Sequence, residues 1–69
     1  MRVFRVDIIF VDGSSGNKIV LASTDIEARE RAIESEREDW IEAIRLGDAE
    51  GPIPAIDYCE IELVVETDA

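Results

Sequence analysis

The sequence predicts a single small α+β domain over residues 1–69, with a three-stranded antiparallel sheet and helical structure on one face. Two observations predict this class. Three segments alternate apolar and polar residues with a period of two, which is typical of half-buried strands. One long segment between them repeats its apolar residues at helical spacing. The element order is therefore β-β-α(α)-β, and the long apolar run of the first strand favours the sheet order 2-1-3.

The first strand is predicted over residues 2–11, where large apolar residues occupy every second position. Period-two alternation places these residues on one face of the strand, and we expect that face to lie beneath the helix. The inward residues are Phe4, Val6, Ile8 and Phe10.

A turn rich in Gly, Ser and Asp leads from the first strand into a second short strand at 18–22. Because this turn joins two strands and does not open a helix, we interpret it as a hairpin and not as a phosphate-binding loop. Ile19 and Leu21 are expected to share the buried face of the second strand, with Lys18 and Val20 on the open face.

The helical segment 24–46 begins with Thr24 and Glu27 at the spacing of a capping box, and Gly47 supplies a C-terminal stop. A second capping pattern begins at Ser35 in the middle of the segment. Two interpretations follow: one continuous helix, or two helices that meet at Ser35. The second cap and the usual length of helices favour two helices or one sharply bent helix.

Apolar residues of the helical segment recur every seven positions and predict a stripe that packs on the sheet. The stripe consists of Ile26, Ile33, Trp40, Ile41 and Ile44. Ala28 and Ala32 are small enough to permit a close approach of the helix to the strands. A loop with two prolines, at 48–56, then separates the helix from the last strand.

The last strand is predicted over residues 57–66, and residues 67–69 are expected to fray. Its buried face is predicted to hold Cys59, Ile61, Leu63 and Val65. Its exposed face is predicted to hold Tyr58, Glu60, Glu62, Val64 and Glu66. The single cysteine, Cys59, is interpreted as a small buried apolar residue.

The net charge of −10 lies entirely in the second half of the chain. Residues 1–33 hold five acids and five bases, whereas residues 34–69 hold twelve acids and two bases. Such a surface attracts basic partners and repels nucleic acid and anionic membranes, so the expected partner is a basic protein surface. Solubility alone is the plain alternative explanation of the charge.

Two surfaces are candidates for binding. The first is the acidic middle of the helical segment, where Glu34, Glu38 and Glu42 form a row of carboxylates at i, i+4 spacing. Its residues are Glu34, Glu36, Glu38, Asp39 and Glu42. The second is an apolar patch on the open sheet face, through which the domain would act as a structural or oligomeric module, and monomer and homodimer are both compatible with it. Its residues are Ile9, Val20, Tyr58 and Val64.

The residue content disfavours enzymatic chemistry. The chain has no His and one Cys, which excludes Ser-His-Asp catalysis, His-ligated metals and Cys-cluster zinc sites. Of two carboxylate pairs, Asp48 with Glu50 lacks EF-hand spacing, and Glu60 with Glu62 lies on an exposed strand face. We therefore expect a non-catalytic cytoplasmic protein that has no cofactor, no direct contact with nucleic acid and no membrane-spanning segment.

Three stretches together resemble the DpnD/PcfM-like group of small proteins from phage and mobile elements. They are FRVDIIFV, KIVLASTDIEARERA and CEIELVV, within a match over about two-thirds of the chain. In that group two strands precede a helix opened by a stretch similar to Ala22, Ser23, Glu27 and Ala28 here, and a closing strand follows. The acidic segment 34–56 departs from the pattern. The resemblance implies a mobile-element setting, with no catalytic residues.

By class, the chain is also similar to small acidic phage proteins that inhibit host defence, including anti-CRISPR proteins. Some of these inhibitors present carboxylates to a Lys- and Arg-rich groove that otherwise holds nucleic acid. The similarity implies an inhibitor whose acidic half engages such a groove on a host protein.

Overall fold

The computed structural model describes residues 1–66 and confirms the predicted α+β class. Its elements are β1 (Arg2–Phe10), β2 (Ser15–Ala22), α1 (Asp25–Arg45) and β3 (Ile56–Glu66). The three strands form one antiparallel sheet in the order β2-β1-β3, and α1 packs on one face of it. The predicted fraying of residues 67–69 lies outside the described part of the chain.

The core lies between β1 and α1. The four inward residues predicted for β1 are at most 6% exposed, and Val6 and Ile8 are fully buried. Three small residues complete this cluster from the neighbouring elements: Ala22, Ala28 and Ala32. Because β1 pairs with a strand on either side, the sheet ladder satisfies its backbone polar groups in the most buried layer of the fold.

The β1–β2 hairpin is tighter than the sequence predicts, so β2 begins at Ser15. The Gly13 amide donates to the Phe10 carbonyl (3.0 Å), and the Phe10 amide donates to the Ser14 carbonyl (2.9 Å). Gly13 has a φ of 88°, which suits the left-handed position that closes a three-residue loop. Asp12 accepts hydrogen bonds from the Ser14 hydroxyl (2.6 Å) and amide (2.9 Å), and these bonds lower the pKa of the Asp12 carboxyl.

The register of this hairpin corrects the predicted faces of β2. Val20 lies directly opposite Phe4, so Val20 and Lys18 share the helix-facing side of the sheet. Ile19 and Leu21 lie on the open face, where both are exposed. The prediction was wrong because alternation shows which residues share a face but does not show which face that is.

β3 holds Cys59 and Ile61 on the helix-facing side, where both are partly buried and pack against the core as predicted. Near its end, an irregularity in the pairing with β1 leaves Val64 as an extra residue. Val65 then pairs with Val3 on the open face, so its prediction as a buried residue is wrong. A bulge of this kind reverses the alternation that the sequence pattern assumes.

α1 is one continuous helix from Asp25 to Arg45, so the two-helix alternative is wrong. At its start, the Thr24 hydroxyl accepts a hydrogen bond from the Glu27 amide (3.2 Å), as the predicted N-cap requires. The pattern at Ser35 does not act as a second cap, because no Gly or Pro interrupts the backbone ladder in this segment.

The end of α1 confirms the predicted stop at Gly47, which has a φ of 81°. Its amide donates to the Ile44 carbonyl (3.1 Å), and the Asp48 amide donates to the Ala43 carbonyl (2.8 Å). These two bonds form a Schellman motif, in which a left-handed glycine lets the chain leave the helix sharply.

Candidate protein-binding surface

α1 lies off-centre on the sheet, toward β2. On one side of the helix, Arg31 donates a hydrogen bond to the Leu21 carbonyl of β2 (2.7 Å). On the other side β3 is less covered, since Leu63 is 48% exposed although its partner Phe4 on β1 is 5% exposed. The side of α1 that points away from β2 therefore borders a partly open strip of the sheet.

Three isoleucines of the predicted apolar stripe are turned outward, contrary to the prediction that the stripe packs on the sheet, whereas Trp40 is partly buried. Ile26 is 69% exposed, Ile41 and Ile44 are also exposed, and Ile33 packs against the core. The reason is that two fully buried alanines face the strands, which turns the larger side chains toward the β3 side and solvent. We refer to Ile26, Ile33, Ile41 and Ile44 as the isoleucine stripe, because helical spacing keeps all four on one side of α1.

A cleft of about 340 Å³ opens beside Ile33, between α1 and the loop that precedes β3. Glu36 and Arg37 supply its polar wall. The rest of its lining is apolar: Phe10, Ile33, Ile53, Pro54, Ala55 and Ile56. The Val11 amide donates to the Ala55 carbonyl (3.0 Å), which holds the loop against the hairpin and fixes the wall opposite α1.

A row of carboxylates runs along α1 beside the isoleucine stripe. Glu30, Glu34 and Glu38 follow one another at i, i+4 spacing, which aligns them over about 12 Å of the helix. None of the three side chains makes a hydrogen bond or ion pair within residues 1–66. We refer to them as the acidic row. An open depression beside the row is lined by Glu30, Ile33, Glu34, Arg37, Glu38 and Ile41.

Two of the five predicted acidic residues, Glu36 and Asp39, are directed toward β2. Both form ion pairs with Lys18, at 3.8 Å for Glu36. The Lys18 and Glu36 side chains are only 19% and 21% exposed, and the Glu36 carboxyl packs against Gly16. These two acids therefore fasten the helix to the sheet edge, and the Asp39 side chain is still 67% exposed.

Glu30 extends the predicted row of Glu34, Glu38 and Glu42 toward the start of α1. Glu34 and Glu38 belong to the row, but Glu42 forms an ion pair with Arg45 (2.6 Å). Glu30 takes the third place, and the sequence interpretation did not include it. A signal for Glu30 was present, because no Lys or Arg lies three or four residues from it to form a helical ion pair.

Most cations of the chain are held in ion pairs within residues 1–66, the range that contains every Lys and Arg. The five paired cations are Arg2, Arg5, Lys18, Arg31 and Arg45. Arg37, which has no ion pair in this range, lines both the cleft and the depression. The acidic row is therefore the uncompensated charge of this surface, with a single positive charge between it and the cleft.

The predicted apolar patch of the open sheet face is not contiguous. Val20 faces α1, which removes it from this face, and Val64 is the extra residue at the bulge. Ile9 and Tyr58 are paired neighbours at one end of the sheet. The other end carries a cross-strand apolar row: Leu21, Val3 and Val65. Charged residues separate the two groups: Arg5, Asp7, Glu60 and Glu62.

Within residues 1–66, no three Cys, Asp or Glu side chains are grouped to hold a metal ion. This range includes the pairs Asp48 with Glu50 and Glu60 with Glu62. Nor does any helix in the described range have the length and apolar content needed to cross a bilayer. The lack of a cofactor and of enzymatic activity stays a prediction.

Comparison of the chain with protein-family models, curated proteins and solved structures gave no match. The resemblance to the DpnD/PcfM-like group and to acidic phage inhibitors therefore stays a prediction. The geometry itself defines a two-layer α+β domain whose helix presents an acidic row and an apolar stripe to solvent.

Proposed function

We propose that this protein is a non-catalytic binding module that engages a basic surface of a partner protein through α1. The acidic row is the observation that carries this proposal. Four other acids of the helix, Glu27, Glu36, Asp39 and Glu42, form ion pairs, as Glu27 does with Arg31 (2.7 Å). Each like-charge i, i+4 contact in the row destabilises the helix by about 0.2–0.5 kcal/mol, and Lys or Arg residues of a partner would offset that cost.

We propose further that the partner surface is one that otherwise binds nucleic acid. A line of carboxylates on a rigid helix offers Lys and Arg side chains a linear negative charge, as a phosphate backbone does. An inhibitor from a phage or mobile element, acting on a host protein in the cytoplasm, is the form of this function that we favour. The single free cysteine is compatible with a reducing compartment.

Two variants of equal net charge test the proposal by capture from cell lysate. The row variant neutralises the acidic row through Glu30→Gln, Glu34→Gln and Glu38→Gln. The control variant neutralises three acids away from α1 that have no ion pair within residues 1–66, through Glu50→Gln, Asp57→Asn and Glu60→Gln. Each protein is immobilised and washed at low and at high salt.

We expect the wild-type chain and the control variant to retain the same basic proteins at low salt and to release them at high salt. The row variant is expected to retain little at either salt concentration. Equal retention by the two variants would contradict a role for the row, because net charge alone would then explain the binding.

A second candidate function is self-association through the open sheet face. It is favoured by the cross-strand row of Leu21, Val3 and Val65, in which Leu21 and Val65 are exposed and Val3 is half-buried, since adjacent apolar side chains at the surface often mark an interface. Sedimentation at high protein concentration tests this candidate. A dimer that Leu21→Ser converts to a monomer supports it, and a wild-type monomer contradicts it.

A further inference from the structure

We infer that the partner segment bound by this surface is a basic amphipathic helix, which inserts one large apolar side chain into the cleft beside Ile33. This inference rests on the proposed function and specifies the chemistry of the partner. Its basis is the juxtaposition of three features on one side of α1: the isoleucine stripe, the cleft and the acidic row.

The apolar features match the spacing of a helix. Ile33, at the cleft, and Ile41, at the far end of the depression, are eight residues apart, which is about 12 Å along α1. Apolar residues at i and i+7 of a second helix are about 10.5 Å apart, so one can enter the cleft while the other covers Ile41. A helix lying along α1 would thereby remove the exposed isoleucines from water.

The charges determine which flank of the bound helix is basic. Lys or Arg residues on the flank that faces Glu30, Glu34 and Glu38 would each meet a carboxylate that has no ion pair within the described part of the chain. The cleft itself is lined mostly by apolar side chains, and its two charges, Glu36 and Arg37, are of opposite sign, so the side chain that enters there is apolar and uncharged. The acidic row and the apolar lining of the cleft thus select a helix with a basic flank and an apolar face.

Charge complementarity also disfavours a second copy of the chain as the occupant. A symmetric pairing through this surface would bring two acidic rows close together in a protein of net charge −10. Like charges facing each other across an interface oppose association. The occupant that the charges favour is therefore a helix of opposite charge.

Three labelled peptides of about 18 residues probe the surface by fluorescence anisotropy at low salt. The amphipathic peptide has Leu at i, i+3, i+4 and i+7 and Lys elsewhere. The permuted peptide has the same composition without an apolar face. The acidic peptide replaces every Lys of the first by Glu. We expect the amphipathic peptide to bind at least about tenfold more tightly than the permuted peptide, and the acidic peptide not to bind.

Single substitutions locate the site of the bound peptide. Ile41→Ser and Ile53→Ser are each expected to lower the affinity for the amphipathic peptide by about fivefold, because each removes apolar contact at one end of the site. Ile19→Ser, on the open sheet face, is the matched control and should leave the affinity unchanged. Because Ile41 is exposed, Ile41→Ser removes little of the packing that stabilises the fold. It therefore tests the site even if Ile53→Ser destabilises the folded state.

The possible failures are distinguishable. Equal binding of the amphipathic and permuted peptides, with both weakened in the row variant, would overturn the inference and leave the proposed function standing. Absence of binding by either basic peptide would contradict both. Loss of affinity in Ile19→Ser alone would place the site on the sheet face and overturn the inference. A free dimer that Ile41→Ser dissociates would make a second copy the occupant and overturn it as well.

Discussion

At the scale of single residues, the ion cluster around Lys18 joins the helix to the edge strand. Lys18→Met keeps the apolar stem but leaves Glu36, which is four-fifths buried, beside Asp39 with no counter-charge. We expect the substitution to lower the free energy of unfolding by about 1–3 kcal/mol, measured by urea denaturation.

Arg5→Met is the control for this prediction, because the ion pair of Arg5 with Glu62 is about half exposed on the open face. Arg5→Met should lower the free energy of unfolding by less than about 1 kcal/mol. Adding Glu36→Gln and Asp39→Asn to Lys18→Met should recover part of the stability. If Lys18→Met lowers the free energy of unfolding no more than Arg5→Met does, the cluster does not stabilise the helix–sheet contact.

Asp12 is the residue whose ionisation the hairpin turn alters. Its pKa is lowered by the hydrogen bonds from Ser14, so its ionised form stabilises the turn above the pKa of an unfolded Asp. That contribution is lost as the pH falls through the lowered pKa. Ser14→Ala removes the hydroxyl donor and keeps the amide, and NMR titration should show the pKa of Asp12 rising part of the way back. An unchanged pKa would contradict this assignment.

At the scale of elements, the continuity of α1 is testable through its two capping patterns. Thr24→Ala removes the N-cap seen in the structure and should lower the free energy of unfolding by about 1 kcal/mol. Ser35→Ala replaces a mid-helix serine and should leave stability unchanged or raise it by up to about 0.5 kcal/mol. Urea denaturation of both variants checks this, and a loss at Ser35 equal to that at Thr24 would indicate a second helix start.

The sequence predicts the elements better than their orientation. The inward face of β1 and both ends of α1 follow from local patterns, because alternation, capping residues and a left-handed glycine each act over a few residues. The face of β2 depends on the length of a loop closed by Gly13, and the end of β3 depends on the bulge at Val64. The loop and the bulge each shift the pairing of a strand with β1 by one residue, and the alternation of apolar residues does not reveal such a shift.

The rotation of α1 was mispredicted for a related reason. A helical pattern with both an isoleucine stripe and an alanine pair has two candidate buried sides. Hydrophobicity favours the isoleucines, whereas the fold buries Ala28 and Ala32 at 0% exposure and leaves Ile26 outside. The alanine side is buried because it lets the helix approach β1 and β2 closely. How closely the helix can approach depends on the assembled sheet and not on the helix sequence. The candidate surface could therefore be predicted only in its acidic part.

At the scale of the whole molecule, the chain has a net charge of −10 and an acidic row that forms no ion pair with any other residue of 1–66. Neutralising the row should raise the free energy of unfolding at low salt by about 0.5–1.5 kcal/mol, because three like-charge i, i+4 contacts disappear, including that of Glu38 with Glu42, and net repulsion falls. Moderate salt should stabilise the wild-type chain more than the row variant, as urea denaturation at two salt concentrations would show. A row variant less stable than wild type would mean that these carboxylates stabilise the fold.

The measurement that most directly tests whether the acidic row binds a partner is the affinity of the amphipathic Lys–Leu peptide for the row variant and for the control variant. Both variants lose three negative charges, so they differ only in where those charges lie. The row variant should bind at least about tenfold more weakly than wild type, and the control variant should stay within about twofold of it. Equal losses in the two variants, or no loss in either, would contradict binding through the row.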